Sequence, residues 1–95
     1  MNAFDSHPIY TKYDISWQED YILGFLSHNQ DTNVTTSEVM NSCDADKIMT
    51  VTTAHKYLKR LVVKNMVKES INKADRRNLH LTLTNKALKF LEDIR

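Results

Sequence analysis

Several residue types that shape small folds are nearly missing from this chain of 95 residues. One cysteine cannot form an internal disulfide, and the lack of a cysteine framework indicates a reducing compartment. One glycine and one proline are too few for a loop-rich or barrel fold and favour helices. No apolar run approaches the ~20 residues of a membrane-spanning helix, and residues 1–13 do not form a secretion signal. The composition predicts one cytoplasmic domain over residues 1–95 that does not contact membranes.

Motifs for catalysis and metal binding are also missing. The four histidines have neither metal-ligand spacing nor a partner cysteine pair, so we expect no metal and no other cofactor. There is no glycine-rich phosphate loop, and no spacing of Ser, His and Asp suggests a triad. Cys43 lies at the predicted end of a short helix, where a buried structural thiol is a simpler reading than a redox sensor. The sequence therefore does not favour an enzyme.

Charge is distributed unevenly, although the net charge is only +1. Residues 1–46 hold one basic residue against eight acidic ones, a net charge of −7. Residues 47–80 hold nine basic residues against two acidic ones, a net charge of +7. Because phosphate binding depends on the local field rather than on the total charge, segment 47–80 is a candidate nucleic-acid surface. The alternative is a lysine-rich helix face that is merely solvated.

Two helices are predicted in the first half of the chain. Ser16 and Glu19 have the spacing of a capping box, and the apolar side chains behind them fall on one helical face to about His28. A second, shorter helix is predicted to begin near Thr35. Residues 1–15 are expected to be irregular or to form a short arm.

The second half predicts a longer helix, a β-hairpin and a last helix. Thr50 is a candidate N-cap, and Asn65 can take the left-handed conformation that ends the helix. Period-two alternation on both sides of a polar turn at 72–77 predicts two strands, and the last helix should begin near Thr84. The residues predicted to face the core are Val67, Glu69, Ile71, Leu79, Leu81 and Leu83 on the hairpin and Ala87, Leu88, Leu91 and Ile94 on the last helix.

This order of elements predicts an α+β, mostly helical fold. The short helix and the capped longer helix form a helix-turn-helix pair, and the hairpin is a two-stranded β wing beside it.

From Thr50 onward the chain resembles the MarR family of winged-helix transcription regulators, including its SarA-like branch. The resemblance covers about 35 of the 95 residues. Its elements are a small-polar run at 50–56, spaced apolar residues at Leu58 and Leu61, the pair Met66-Val67, the Asp-x-Arg element Asp75-Arg76-Arg77, and Leu83-Thr84. Glu69 stands where the family often has arginine.

The resemblance implies sequence-specific binding of double-stranded DNA, with helix 51–64 in the major groove and wing 68–80 at the minor groove. The residues implied in contact with DNA are Thr50, Thr52, Thr53, His55, Lys56, Lys59, Arg60, Asn72, Lys73, Arg76 and Arg77. Asp75 is implied to pair with Arg77 and to fix the turn of the wing. The alternative is that the threonines only cap the helix and that the turn carries weak surface ion pairs.

A surplus of apolar side chains predicts a homodimer through residues 1–28 and 84–95. The side chains in question are Phe4, Ile9, Tyr10, Trp17, Phe25, Leu26, Phe90 and Ile94. Two-fold symmetry would match a pseudo-palindromic site with half-sites about one turn (~10 bp) apart. We expect a repressor that acts by occlusion. Two other classes stay open: a winged-helix protein–protein interaction module, and a DNA-binding accessory protein for phage or plasmid replication or maintenance. No residue pattern identifies a small-molecule effector.

Overall fold

The structure is a computed structural model and describes residues 8–94. Over that range the chain forms, in order, α1 (Pro8–Tyr13), α2 (Trp17–His28), α3 (Thr36–Ala45), α4 (Val51–Val63), β1 (Val67–Ser70), β2 (His80–Leu83) and α5 (Asn85–Ile94). A short 3-10 turn (Gln30–Thr32) joins α2 to α3. The mostly helical fold with a two-stranded wing is therefore confirmed. The expectation of an irregular N-terminal segment is wrong for residues 8–13, which form α1.

Hydroxyl side chains determine where the helices begin. Ser16 Oγ accepts from the Glu19 amide and Glu19 Oε1 accepts from the Ser16 amide, which completes the predicted capping box of α2. Thr35 and Thr50 cap α3 and α4 in the same way, each accepting from the amide three residues further on. Thr84 Oγ1 accepts from an amide in the first turn of α5. These starts agree with the prediction because each hydroxyl satisfies an amide that has no partner inside its helix.

Left-handed residues close three of the helical segments. Asn65 has a φ of 62° after α4, as predicted, and Asp14 and Lys47 have φ values of 57° and 53° after α1 and α3. The amide after each of them donates to the carbonyl five residues back. This hydrogen bond satisfies a carbonyl at the helix end, so the chain closes its helices in the usual pattern without the usual glycine.

The core lies where α2, α4, the sheet and α5 meet. Ile22, Leu23, Leu61 and Phe90 have no exposed surface. The ring of Tyr13 in α1 meets Phe90 edge to face, with centroids 5.3 Å apart, so α1 covers α5.

The apolar surplus predicted for a dimer is smaller than expected. Tyr10 and Phe90 are 5% and 0% exposed, and Leu26 is 2% exposed, so these side chains belong to the core of one chain. Phe4 and the side chain of Ile9 lie outside the described part of the structure.

Three predicted core positions lie at the surface. Ile71 is 71% exposed and Glu69 is also exposed, because β1 ends at Ser70 and only its first residue, Val67, packs against the helices. Leu88 is 39% exposed, because the residues of α5 that face the core are Ala87, Phe90 and Leu91. A period-two pattern predicts a face, but the face is buried only where another element covers it.

The wing is attached to the start of α3. β1 and β2 are antiparallel, with Val67 opposite Leu83. The amide of Leu81 donates to the Val34 carbonyl at 2.8 Å, and the amide of Thr36 donates to the Leu79 carbonyl at 3.0 Å. Residues 34–36 thus extend the sheet on the free side of β2 and hold it beside the helix-turn-helix pair.

Candidate nucleic-acid interface

The outer face of α4 carries the exposed polar side chains that the sequence singled out. Thr52, His55, Lys56 and Lys59 are exposed, while the opposite face of the helix is buried. Thr50 and Thr53 are committed to the cap: the Thr53 amide donates to Thr50 Oγ1 at 3.2 Å, and the two hydroxyls are 3.0 Å apart. The exposed backbone of this first turn still presents amides and the positive end of the helix dipole.

A cleft of about 260 Å³ separates α4 from the wing. Its lining residues are Thr36, His55, Leu58, Lys59, Glu69, Arg77 and Leu79. The outer face of α4 and the basic turn therefore meet at this cleft. Lys56 is exposed on α4 but does not line this cleft; its ammonium lies near the ring of Tyr57.

Two side-chain hydrogen bonds hold the wing in this position. Asn78 Oδ1 accepts from the Ser37 amide at 2.8 Å, and the Thr36 hydroxyl donates to the Leu79 carbonyl at 3.4 Å. Both join the start of α3 to the residues just after Arg77. The position of Arg77 next to α4 is thus set by contacts between residues about forty positions apart in sequence.

The turn of the wing is shaped by two side-chain oxygens. Asn72 Oδ1 accepts from the Ala74 amide, and Asp75 Oδ1 accepts from the Arg77 amide, both at 3.0 Å. Such local bonds are the reason that Asn and Asp favour turns. Asp75 therefore contacts Arg77 as the resemblance implies, but through the backbone amide rather than the guanidinium. Lys73 and Arg76 are exposed beside it.

The basic side chains of this surface have no acidic partners within residues 8–94. In that range the ion pairs are Lys12 with Asp93, and Lys64 with Asp14 and Glu19. None of them involves the outer face of α4 or the wing. The alternative of a solvated turn with weak surface ion pairs keeps its solvated turn, since Lys73, Arg76 and Arg77 are exposed, but none of the described ion pairs lies in it. Cations outside ion pairs produce a positive local potential, which Glu69 in the cleft reduces.

The predicted set does not form a single cluster. Arg60 is exposed but lines a second cleft with Asp14 and Glu19, away from the wing. The guanidinium of Arg60 and the ammonium of Lys56 both lie 5.8 Å from the ring centroid of Tyr57, at the range of cation–π contacts. Arg60 thus lies apart from the basic residues that line the cleft beside the wing.

Three residues of this region escaped the sequence analysis. Thr36 and Glu69 line the cleft, and Tyr57 contacts two cations. Glu69 had a signal, since a carboxylate in an otherwise apolar alternation is unlike a core residue. Thr36 and Tyr57 had none, because their positions depend on how the wing and α4 pack.

Other kinds of site find no support in the described residues. No group of three or more His, Cys, Asp or Glu side chains in that part of the chain could hold a metal ion. None of the helices between residues 8 and 94 is both long enough and apolar enough to cross a membrane. Cys43 is fully buried, and burial, with the nearby charge of Asp46, raises the pKa of its thiol. A raised pKa lowers the thiolate fraction and argues against redox sensing.

A capped helix in a helix-turn-helix pair, with a two-stranded wing attached beside it, defines a winged-helix protein. The family model of the transcriptional regulator SarA/Rot matches residues 6–94. The chain belongs to the SarA/Rot family of transcriptional regulators, which confirms the resemblance drawn from residues 50–84.

Similar solved structures include S. aureus MepR and a MarR protein. The DNA complex of S. aureus MepR is 22% identical, with a TM-score of 0.75, over 90% of this chain and 61% of MepR. A MepR mutant bound to an oligodeoxyribonucleotide is 23% identical, with a TM-score of 0.76, over 88% of this chain and 58% of that one. A MarR protein from Peptoclostridium difficile is 21% identical, with a TM-score of 0.74, over 90% of this chain and 52% of that one.

These likenesses, at such identities, show the fold. The chain spans between about half and three fifths of the length of these proteins. A comparison with curated proteins gives no match.

Proposed function

We propose that this protein is a DNA-binding transcriptional regulator that contacts double-stranded DNA with α4 and the wing. The observation that carries the proposal is the cleft in which His55, Lys59 and Arg77 meet. None of the three takes part in a described ion pair, although Glu69 also lines the cleft. Membership of a family of transcriptional regulators supports it. The MepR complexes with DNA support it further, because they have the same fold.

In this proposal α4 lies in the major groove. Thr52, His55 and Lys56 are exposed on its first two turns and would reach base edges, whereas Lys59 and Arg60 would contact phosphate. The amides at the Thr50 end of α4 suit a phosphate oxygen as well.

The wing would contact the adjacent minor groove. Lys73, Arg76 and Arg77 are exposed on it, and the turn is held rigid by the side chains of Asn72 and Asp75. A narrow minor groove concentrates negative potential and attracts guanidinium groups.

We further propose that two copies bind together and repress transcription by occlusion. Within residues 1–28 and 84–95, the surface that fits this role is the one formed by α1 and α5. Tyr13 of α1 and Ile94 of α5 are only half-buried in one chain. Two-fold symmetry would then require a pseudo-palindromic site.

The wing is tested by replacing Arg76 and Arg77 together with alanine. Selection from random duplex DNA supplies the probe, and the symmetry of the recovered sequences tests the two-fold arrangement. In gel-shift titrations the double variant should bind at least about tenfold more weakly, and the log–log salt slope should fall by about 1.8, or 0.9 for each lost phosphate contact.

The matched control removes one charge elsewhere, in Lys47→Gln, and is compared with the single variant Arg77→Ala. Lys47 is exposed, does not line the cleft and lies outside α1 and α5. This control should bind like the wild type, and both single variants should keep the wild-type thermal midpoint. Wild-type affinity of the arginine variant would contradict the role of the wing.

A further inference from the structure

A groove that contains three aromatic side chains follows one face of α2. Trp17, Tyr21 and Phe25 are spaced four residues apart on that face, and Ile48 from the turn after α3 closes one end. All four side chains are half-buried, so each keeps apolar surface in contact with water. Two adjoining cavities along the groove have volumes of about 320 and 490 Å³.

The groove is separate from the cleft between α4 and the wing. Helix α3 connects the two: its first residue, Thr36, lines the cleft, whereas Ser42 and Asp46 at its other end line the groove. Ten residues of helix extend about 15 Å, and the two sites share no lining residue. A molecule in the groove therefore need not displace one in the cleft.

Carboxylates stand at the rim of the groove. Asp20 and Asp46 line it, and each accepts one hydrogen bond from a tyrosine hydroxyl: Asp20 from Tyr10 at 2.7 Å and Asp46 from Tyr21 at 3.0 Å. A carboxylate has about four acceptor sites, so one such bond orients it without satisfying it. Neither aspartate takes part in an ion pair within the described range. The groove therefore combines an apolar floor with a polar rim, which carries two carboxylates together with His28 and Ser42.

Gly24 lies in the groove and is the only glycine of the chain. It sits in the middle of α2 without a positive φ, and a Cβ added there would meet no atom within 4 Å. The fold of one chain thus gains nothing from glycine at this position, and glycine disfavours a helix. What glycine does provide is an open stretch of helix backbone that another molecule can approach closely.

We propose that this groove binds a basic segment of another protein. Its apolar side chains would rest on Trp17, Tyr21 and Phe25, its backbone would pass Gly24, and its Lys or Arg side chains would lie beside the rim carboxylates. Charge complementarity selects a basic segment, because the carboxylates of the rim repel nucleic acid. A second copy of this chain fits less well, since its basic surface is the one assigned to DNA. The inference goes beyond the proposed function, because the groove would bind its partner with or without DNA.

The test uses a synthetic amphipathic helical peptide of lysine and leucine as the probe. Trp17 is the only tryptophan of the chain, so its fluorescence reports directly on the groove. The lysine–leucine peptide should shift the Trp17 emission to shorter wavelength, and a peptide with glutamate in place of lysine should not. Equal binding of the two peptides would overturn the proposal.

Two sets of variants locate the binding site, with the peptide's own fluorescence anisotropy as the readout. Asp20→Asn with Asp46→Asn should weaken binding of the lysine–leucine peptide about fivefold. Glu38→Gln with Glu92→Gln makes the same charge change at exposed sites outside the groove and should leave binding unchanged. Equal weakening by the two double variants would mean that peptide binding depends only on the total charge of the protein. That result would overturn the assignment of the groove as the binding site.

Gly24→Ala separates a docking role from a structural one. Because the added methyl group meets nothing, this variant should fold and should melt at a higher temperature than the wild type. It should nevertheless bind the peptide more weakly, and Gly24→Gln more weakly still. Unchanged peptide affinity in both variants would overturn the proposal. So would self-association of the wild type in sedimentation that Gly24→Gln abolishes, since the groove would then hold a second copy.

Gel shifts with duplex DNA distinguish this inference from the proposed function. The groove variants should bind DNA like the wild type, whereas the variant lacking Arg76 and Arg77 should lose DNA binding and keep the peptide. If the wild-type protein bound the peptide but not DNA, the proposed regulator function would be rejected and the proposal for the groove would stand.

Discussion

At the scale of single residues, Glu19 is a buried carboxylate that is held by an ion pair and by the cap of α2. Its side chain is fully buried, and Oε2 lies 2.9 Å from the ammonium of Lys64, which also donates to the backbone carbonyl of Asp14. The other carboxylate oxygen completes the capping box with Ser16. The pair joins the start of α2 to the residue that follows α4. A buried carboxylate tolerates this position only while a cation and several donors surround it.

Lys64→Met should therefore be strongly destabilising. It leaves the charge of Glu19 buried without its cation, a change that costs about 3 kcal/mol in comparable pairs. Urea unfolding followed by circular dichroism measures the loss. Lys59→Met, at an exposed position of α4, is the control and should change the free energy of unfolding by less than about 0.5 kcal/mol. A loss below about 1 kcal/mol in Lys64→Met would contradict the role of the pair.

Cys43 should react slowly while the chain is folded. Its sulfur is buried, and burial raises the pKa of the thiol above its ordinary value. The folded state thus favours the protonated thiol. This stabilising contribution is complete below the pKa of the unfolded chain and is lost as the pH rises through the raised value. At pH 8, alkylation by iodoacetamide should be at least about tenfold slower than in urea. Equal rates in the two conditions would show that the thiol is accessible.

At the scale of elements, the end of α4 depends on a left-handed residue. Asn65 has a φ of 62°, a conformation that glycine adopts without cost and that a residue with a Cβ reaches less easily. Asn65→Gly should stabilise the fold by about 0.5 kcal/mol, and Asn65→Ala should destabilise it by about 1 kcal/mol. Urea midpoints test both. Asn41→Gly, inside α3, should instead cost about 0.3 kcal/mol, and a loss at Asn65→Gly as large as that at Asn41→Gly would refute the assignment.

The ends of the helices could be predicted from the sequence where a side chain bonds to the backbone of its own helix. The caps at Ser16, Thr35 and Thr50 and the stop at Asn65 need only residues within five positions, so the sequence predicts them well. The faces of the wing were predicted less well. Glu69 and Ile71 alternate correctly with their neighbours, but no element covers them and both are exposed, so the pattern alone could not distinguish a buried face from an open one.

At the scale of the whole molecule, the arrangement of charge matters more than its sum. Glu69 is a carboxylate inside a cleft lined by Lys59 and Arg77, whereas Asp44 is exposed near the far end of α3, about 12 Å along the helix from the cleft. At 0.1 M salt the screening length is about 10 Å, so a charge at Asp44 acts only weakly in the cleft.

Two variants with the same change in net charge should therefore differ in DNA affinity. Glu69→Gln should raise the affinity for duplex DNA about threefold, since it removes a repulsive charge from the cleft. Asp44→Asn should leave the affinity within about twofold. Gel-shift titration at 0.1 M salt compares them. An equal gain in both would mean that binding follows the net charge of the chain and not the local field.

The sequence by itself determined the order of the elements, the helix caps and the division into an acidic and a basic half. These features depend on neighbours in the chain, on hydrophobic periodicity and on counted charges. Only the tertiary structure decided that Arg77 lies beside His55 and Lys59, that Arg60 faces another cleft, and that Tyr10 and Phe90 belong to the core. The physical reason is that such positions are set by contacts between distant segments, such as Asn78 with Ser37 and Lys64 with Glu19. No local pattern records which segments meet.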